Sequence, residues 1–204
     1  MSQIVRKGEE LNEVSLKSFL LENQLISSFN NELLVEQYSN GFSNLTYLLK
    51  IDNKELVLRR PPKGAIKYGH DMGREYKVLT GLNKGFKKAP TAHVFSNDNS
   101  IIGAPFYIME KIEGIILSRK EASSRNISSE EYSKIAQNWL NTFVELHELD
   151  FNTIGLSDLG KPQGYVERQV RNWSKQYLNA ATEEIPESEK IMKLLKKNQP
   201  KKYT

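Results

Sequence analysis

Between Gln37 and Pro62 the sequence reads QYSNGFSNLTYLLKIDNKELVLRRPP, and this stretch limits the fold more than any other. Residues 33–38 (LLVEQY), 45–51 (LTYLLKI) and 55–60 (ELVLRR) are short, apolar and bounded by turn residues, the pattern of three strands. Ser39 to Asn44 makes a glycine turn between the first two, and Asp52-Asn53 is the two-residue turn of a hairpin. Pro61 and Pro62 end the third strand, because proline has no N–H for the ladder. Strands joined this closely pair antiparallel.

Helical spacing surrounds these strands. Residues 15–26 place Leu16, Phe19, Leu20 and Leu25 on a helix. Residues 63–70 read as a loop, and 71–82 as a helix with Met72, Tyr76, Leu79 and Leu82 on one face. Glu75 shares that face, and a carboxylate turned inward is costly unless a cation meets it. Arg59 or Arg60 is the cation at hand. Strand alternation sends the two to opposite faces, so only one can serve, and the other reads as a surface arginine beside a proline. Residues 92–96 and 101–110 read as a hairpin around Asn97-Asp98-Asn99-Ser100.

After that the period changes. Residues 129–149 place Tyr132, Ile135, Ala136, Trp139, Leu140, Phe143, Val144 and His147 on one helical face, with Ser128 and Glu131 as a capping box. Residues 163–179, with Val166, Gln169, Val170, Trp173 and Tyr177 inward, and residues 187–198 form further helices. The pattern is α+β: an antiparallel five-stranded lobe with one inserted helix, then helices alone. The expected divisions are a helical segment at 1–28, a strand lobe at 29–108, a linker at 109–114 and a helical part at 115–204.

Composition narrows the function. The chain of 204 residues is 38% hydrophobic and 26% charged, a globular balance with length for one large domain or two small lobes. It has no apolar run long enough to span a bilayer, and MSQIVRKGEELNE lacks the apolar core of a signal peptide, so a cytoplasmic protein without membrane partners is expected. The absence of cysteine removes disulfides, thiolate metal sites and cysteine nucleophiles. The net charge of +4 gathers at Lys84, Lys87 and Lys88, and at Lys190, Lys193, Lys196, Lys197, Lys201 and Lys202. These clusters read as solvated helix ends, because no strand alternates aromatic and basic residues as a nucleic-acid recognition sheet does.

Six stretches in order, SNGFSNLTYLL, LVLRRPPKG, HDMGREYKVL, FYIMEKIEG, ELHELD and GYVERQVRNW, resemble the aminoglycoside phosphotransferase family, and within it the kinase-like domains fused to acyl-CoA dehydrogenases. The resemblance runs from about residue 37 to 174. It implies a protein-kinase-like fold with a nucleotide lobe, a hinge and a helical lobe, ATP as phosphate donor, and Mg²⁺. Asn40, Gly41, Phe42, Ser43 and Asn44 would fold over the phosphates. Arg59 falls where the family's phosphate-binding cation sits and would bridge the phosphates and Glu75. Met109, Glu110 and Ile112 would form the hinge, with backbone groups of Glu110 and Ile112 on the adenine edge and Leu58 against its face.

The family also needs a catalytic aspartate in an H-x-D-x-x-x-x-N motif and a metal-binding aspartate after it. His70, His93 and His147 are the histidines, and none is followed two residues on by Asp. His147-Glu-Leu-Asp150-Phe-Asn152 with Asp158-Leu-Gly160 imitates the motif with the wrong spacing, so His147 reads as a core histidine closing a helix. No catalytic residue and no metal ligand is therefore assigned. The resemblance implies that both lie beyond residue 204, that the chain is the front part of a longer kinase, and that it is inactive alone. Its acceptor would be a small-molecule hydroxyl, of hydroxyacyl type by the dehydrogenase relation. Open apolar faces on 129–149 and 163–179 point to aggregation or a homodimer. The competing reading is a non-catalytic module that binds nucleotide or a partner.

Overall fold

The computed structural model describes residues 2–39, 43–64, 70–161 and 163–200. In chain order the elements are β1 (Ser2–Gln3), α1 (Glu13–Glu22), β2 (Leu34–Tyr38), β3 (Leu45–Ile51), β4 (Lys54–Arg60), α2 (Met72–Leu82) and β5 (Ala92–Ser96). Then come α3 (Asn99–Ile102), β6 (Phe106–Glu110), α4 (Arg119–Ser124), α5 (Ser129–His147), α6 (Tyr165–Ala180) and α7 (Pro186–Lys197). The strands form one sheet in the order β1-β2-β3-β4-β6-β5, antiparallel at every pairing. All five expected strands are present, and the two-residue β1 adds a sixth at the edge.

The tight turn between β3 and β4 has Asp52 at φ 52° and Asn53 at φ 59°, the left-handed pair that a two-residue hairpin needs and that Asp and Asn tolerate. Asp52 does a second task. Its carboxylate accepts from the Ser27 amide at 2.8 Å, the Ser27 hydroxyl at 2.9 Å and the Asn31 side chain, and these bonds hold its pKa down. The expected strand over 101–110 is shorter than the sequence suggested. Asp98 caps Ser100 N at 2.8 Å and starts the single turn of α3, which ends at Gly103 (φ 80°), so the strand begins at Phe106.

The two faces of the sheet carry different loads. Tyr47 and Leu49 of β3, Leu56 and Leu58 of β4, and Phe106 and Ile108 of β6 point to one side and are sealed by Leu16 and Leu20 of α1 and by Ile102. Each such fully buried side chain contributes roughly 1.5–3 kcal/mol. The expected segment 1–28 is therefore no separate piece, since Leu16, Leu20 and Ile26 belong to the same core as the strands. The other face presents Leu48, Val57 and Tyr107, and α2 packs there beside β5, with Tyr76 stacked on Phe95 at 5.8 Å.

The described chain divides into two compact units, Met1–Leu156 and Ser157–Thr204, so the expected linker at 109–114 falls inside the first. In that unit α5 begins with the expected Ser128–Glu131 capping box, yet Tyr132, Trp139 and Phe143 on its apolar face are exposed. His147 is exposed too, which corrects the core reading; its Nδ1 lies 2.8 Å from the Phe143 carbonyl, within its own helix. Asp150 accepts from Asn152 N at 2.8 Å in the turn that follows, and this turn sends Ile154 and Leu156 back onto α2. The imitation motif is thus a structural turn. In the second unit α6 and α7 pack on each other, with Trp173 and Leu178 exposed.

Gly81 in α2 is where Leu156 docks: a Cβ there would stand 2.7 Å from both Cγ and Cδ2 of that buried side chain. Gly81→Ala gains about 1 kcal/mol of helix propensity but must displace Leu156, an overpacking cost of about 1–3 kcal/mol. The expected outcome is net destabilisation by about 1 kcal/mol, read from urea unfolding, with Leu156→Ala in the same chain removing the clash. An unchanged or higher midpoint for Gly81→Ala alone would contradict the docking.

Candidate functional site

The last two residues of β4 serve opposite faces. Arg59 pairs across the ladder with Thr46 and Tyr107 and shares its face with Val57, two residues earlier. Its Nη1 lies 3.5 Å from Oε2 of Glu75, with both side chains about one-third exposed, at 32% and 30%. The inward carboxylate expected from the sequence therefore meets its cation, and the cation is Arg59. Helix α2 presents Glu75 because Asp71 caps Arg74 N at 2.9 Å and Met72 is buried, which fixes the rotation of the first turn.

Glu75 has more partners than the pair alone. Asn44 Nδ2 donates to its Oε1 at 2.8 Å, and the Tyr107 hydroxyl donates to its Oε2 at 2.9 Å. Burial pushes the Tyr107 phenol far above its usual range; Arg59 opposes the shift and Glu75 adds to it, so Tyr107 stays a donor. Asn44 is itself buried, and its Oδ1 lies 2.7 Å from His70 Nδ1. With the amide nitrogen of Asn44 turned to Glu75, the His70 Nδ1 must carry the hydrogen and donate. Three segments thus converge on one carboxylate, the exit of the glycine turn, the end of β4 and β6, and His70 on the approach to α2 braces the first of them through Asn44.

Several expected residues need restating. Asn40, Gly41 and Phe42 lie outside the described residues. Ser43 is exposed. Asn44 gives one side-chain N–H to Glu75. Leu58 was expected against the adenine face, yet it is fully buried under α1 on the far side of the sheet. Alternation puts Val57, and not Leu58, on Arg59's face. Arg60 was expected at the surface; it is 3% exposed and donates from Nη1 to the Ile102 carbonyl at 2.9 Å. Tyr107 and His70 were missed. Tyr107 stands level with Arg59 across the β4–β6 pairing, but α2, β5 and α3 separate those strands in the chain, so no local signal sets that register.

The expected hinge leaves β6 along an ordered path. The Glu110 N–H donates to the Thr91 carbonyl at 2.8 Å, and its carboxylate accepts from Thr91 N at 3.0 Å, which lowers its pKa. Lys111 bridges Glu55 of β4 and Glu113, so the chain after β6 is tied back to the sheet. Those two carboxylates raise the pKa of Lys111. Met109 pairs with Val57, and Ile112 is exposed. Among the described residues no three His, Asp or Glu side chains gather as metal ligands, and no helix is long and apolar enough to cross a membrane.

A strand-paired arginine joined to a carboxylate on the next helix, above a strand that exits into a tethered linker, invites comparison with known proteins. Human acyl-CoA dehydrogenase family member 11 is 34% identical over 191 residues, which cover 91% of this chain and 24% of that protein. Mouse acyl-CoA dehydrogenase family member 10 is 31% identical over 198 residues, 97% of this chain and 18% of that protein. The chain spans about a quarter or less of the length of these curated relatives. A crystal structure from Ralstonia eutropha, assigned as an aminoglycoside phosphotransferase, superposes with a TM-score of 0.70 at 30% identity, over 94% of this chain and 55% of that one. Its α+β architecture is kinase-like, as expected from the sequence. The pattern of the phosphotransferase enzyme family matches residues 34–204, and the chain belongs to that family.

Proposed function

We propose that these residues bind ATP for a kinase that transfers its γ-phosphoryl group to a hydroxyl of a small molecule. In that transfer the acceptor oxygen bonds to phosphorus and releases its proton to solvent, the bond to the β-γ bridging oxygen breaks, and ADP leaves with that oxygen. The observation that carries the reading is Arg59. Its Nη1 is oriented by Glu75, while its Nε is buried without a partner. A guanidinium held on one side, partly exposed and with an unmatched N–H, fits the oxygens of a polyphosphate. Val57 and Met109, beside Arg59 on β4 and opposite on β6, offer the apolar contact that an adenine face needs. The glycine turn, through Ser43 and its neighbours, would close over the phosphates, and Glu110 and Ile112 would meet the adenine edge through their backbones.

Asn44, Tyr107 and His70 act in this reading as positioning residues. They keep Glu75 in place, and Glu75 keeps Arg59 extended. Mg²⁺ would supply charge neutralisation between the phosphates. The described residues offer no ligand set for it, so no step here passes through it. The two relatives named as acyl-CoA dehydrogenase family members favour an acceptor of hydroxyacyl type over an antibiotic. A cytoplasmic protein follows from the same reading, and the exposed apolar face of α5 favours a homodimer.

The test is to titrate ATP–Mg²⁺ into the chain and follow its unfolding midpoint, which must rise if ATP binds the folded state. Arg59→Ala is expected to weaken ATP binding by about 10- to 100-fold, the loss of one charge-assisted contact of about 1.5–3 kcal/mol. Tyr107→Phe and Asn44→Ala are expected to weaken it less, by about 3- to 10-fold, because each removes one of several restraints on Glu75. Arg60→Ala should lower the midpoint but leave the affinity of the folded chain nearly unchanged. Equal ATP affinity in wild type and Arg59→Ala would refute the reading. The 204 residues contain no H-x-D sequence, so the pure chain is expected to give no phosphoryl transfer, checked with radiolabelled ATP and a panel of hydroxy acids.

A further inference from the structure

At the end of β4 a second cleft of about 1060 Å³ opens, and neither Arg59 nor Glu75 lines it. Its walls are Arg60 and the turn Pro61–Gly64, the start of α2 with His70 and Asp71, and the turn Gly103–Pro105. The volume suits a small metabolite.

Arg60 is the unusual member of that wall. Its guanidinium is 3% exposed and lies 5.8 Å from the centre of the Tyr47 ring. Nη1 donates to the Ile102 carbonyl and the Tyr47 phenol feels the guanidinium, but Nε and Nη2 make no well-formed hydrogen bond and are closed to water. A buried cation with unmatched N–H groups is expensive and calls for an explanation. The Glu9 carboxylate, which feels Arg60, does not supply one. Oε2 of Glu9 is already bonded to Gln37 at 2.5 Å and Arg6 at 2.9 Å, and Arg60 reaches it only as the weakest of the influences that lower its pKa.

The unpaired atoms form one side of the guanidinium. The N–H of Nε and one N–H of Nη2 point the same way and are spaced for two oxygens of a carboxylate or phosphate. The rest of the cleft agrees with such a group. Lys63 lines it, and the first turn of α2 faces it. Its two carboxylates are engaged elsewhere: Glu10 accepts from Gly8 N at 2.7 Å, and Asp71 caps Arg74 N.

We propose that this cleft is a second ligand site, for a small molecule carrying a carboxylate or phosphate group that seats on the Nε–Nη2 edge of Arg60. The guanidinium lies just behind the cleft surface. The ligand reaches it when the adjoining turns part, one directly after Arg60 and the other directly after Ile102. Gly64 (φ 75°) and Gly103 (φ 80°) give those turns backbone freedom.

The experiment uses the full chain carrying Arg59→Ala, so that phosphate at the nucleotide site does not contribute. Inorganic phosphate and succinate are titrated at constant ionic strength against chloride, and the Arg60 Nε–H resonance is followed by NMR. A saturable shift with either probe, absent with chloride, is expected, together with a rise in Tm of about 5 °C near hundredfold Kd. Response to phosphate alone or succinate alone names the headgroup. Arg60→Lys keeps the charge but loses the fork, and is expected to weaken binding about tenfold or more. If that variant does not fold, the resonance of the parent chain still decides. An Nε–H signal unmoved by both probes, or moved equally by chloride, overturns the proposal.

Discussion

A carboxylate on the inward side of α2 sets the terms for the whole nucleotide lobe. On a helix face packed against a sheet, the Glu75 carboxylate needs donors to replace the water it loses. Arg59, Asn44 and Tyr107 provide them from β4, the exit of the glycine turn and β6. The helix is therefore fastened to the sheet by polar bonds as well as by Met72 and Tyr76. The same bonds bring an otherwise mobile arginine to a fixed place. Stability and ligand geometry are here one set of interactions, so a change in any of the three donors is felt in both.

The sheet separates two kinds of work. One face is a dry core closed by α1, and it takes Leu58 and Arg60 from β4. The other face takes Val57 and Arg59 and is left half open. Alternation by single residues along β4 makes this division, and the pair Arg59-Arg60 sits across it. Two adjacent cations with the same chemistry thus face different surroundings: one beside a carboxylate, the other beneath a helix turn with half its donors unused.

Much of this was legible in the sequence, and the reasons differ by element. The strands of the first hairpin carried both composition and turn signals, and Asp52-Asn53 could hardly be anything but a tight turn. Glu75 was identified by face, and its need for a cation followed from burial. Periodicity could not say which arginine would answer, because either face of β4 was plausible until α1 and α2 were placed. The same gap misassigned Leu58. Asn44 was read by residue type as a phosphate donor; its real partners lie 26 and 31 residues away and leave no local signal. The apolar stripe of α5 suggested burial for His147, but a stripe marks a surface suited to covering, and among the described residues it stays exposed.

The N-terminal helix shows what the division of the sheet entails. Leu16 and Leu20 close the core from outside, and Ser27 and Asn31 hold the far hairpin through Asp52. A strand lobe cut to begin at residue 29 would keep β2 to β6 and still bare Tyr47, Leu49, Leu58, Phe106 and Ile108 to water in one continuous sheet surface. Such a fragment would be a sticky plate and not a small kinase lobe. The first helix is best regarded as the back wall of the sheet, and the least piece of this chain that can stand alone begins ahead of it.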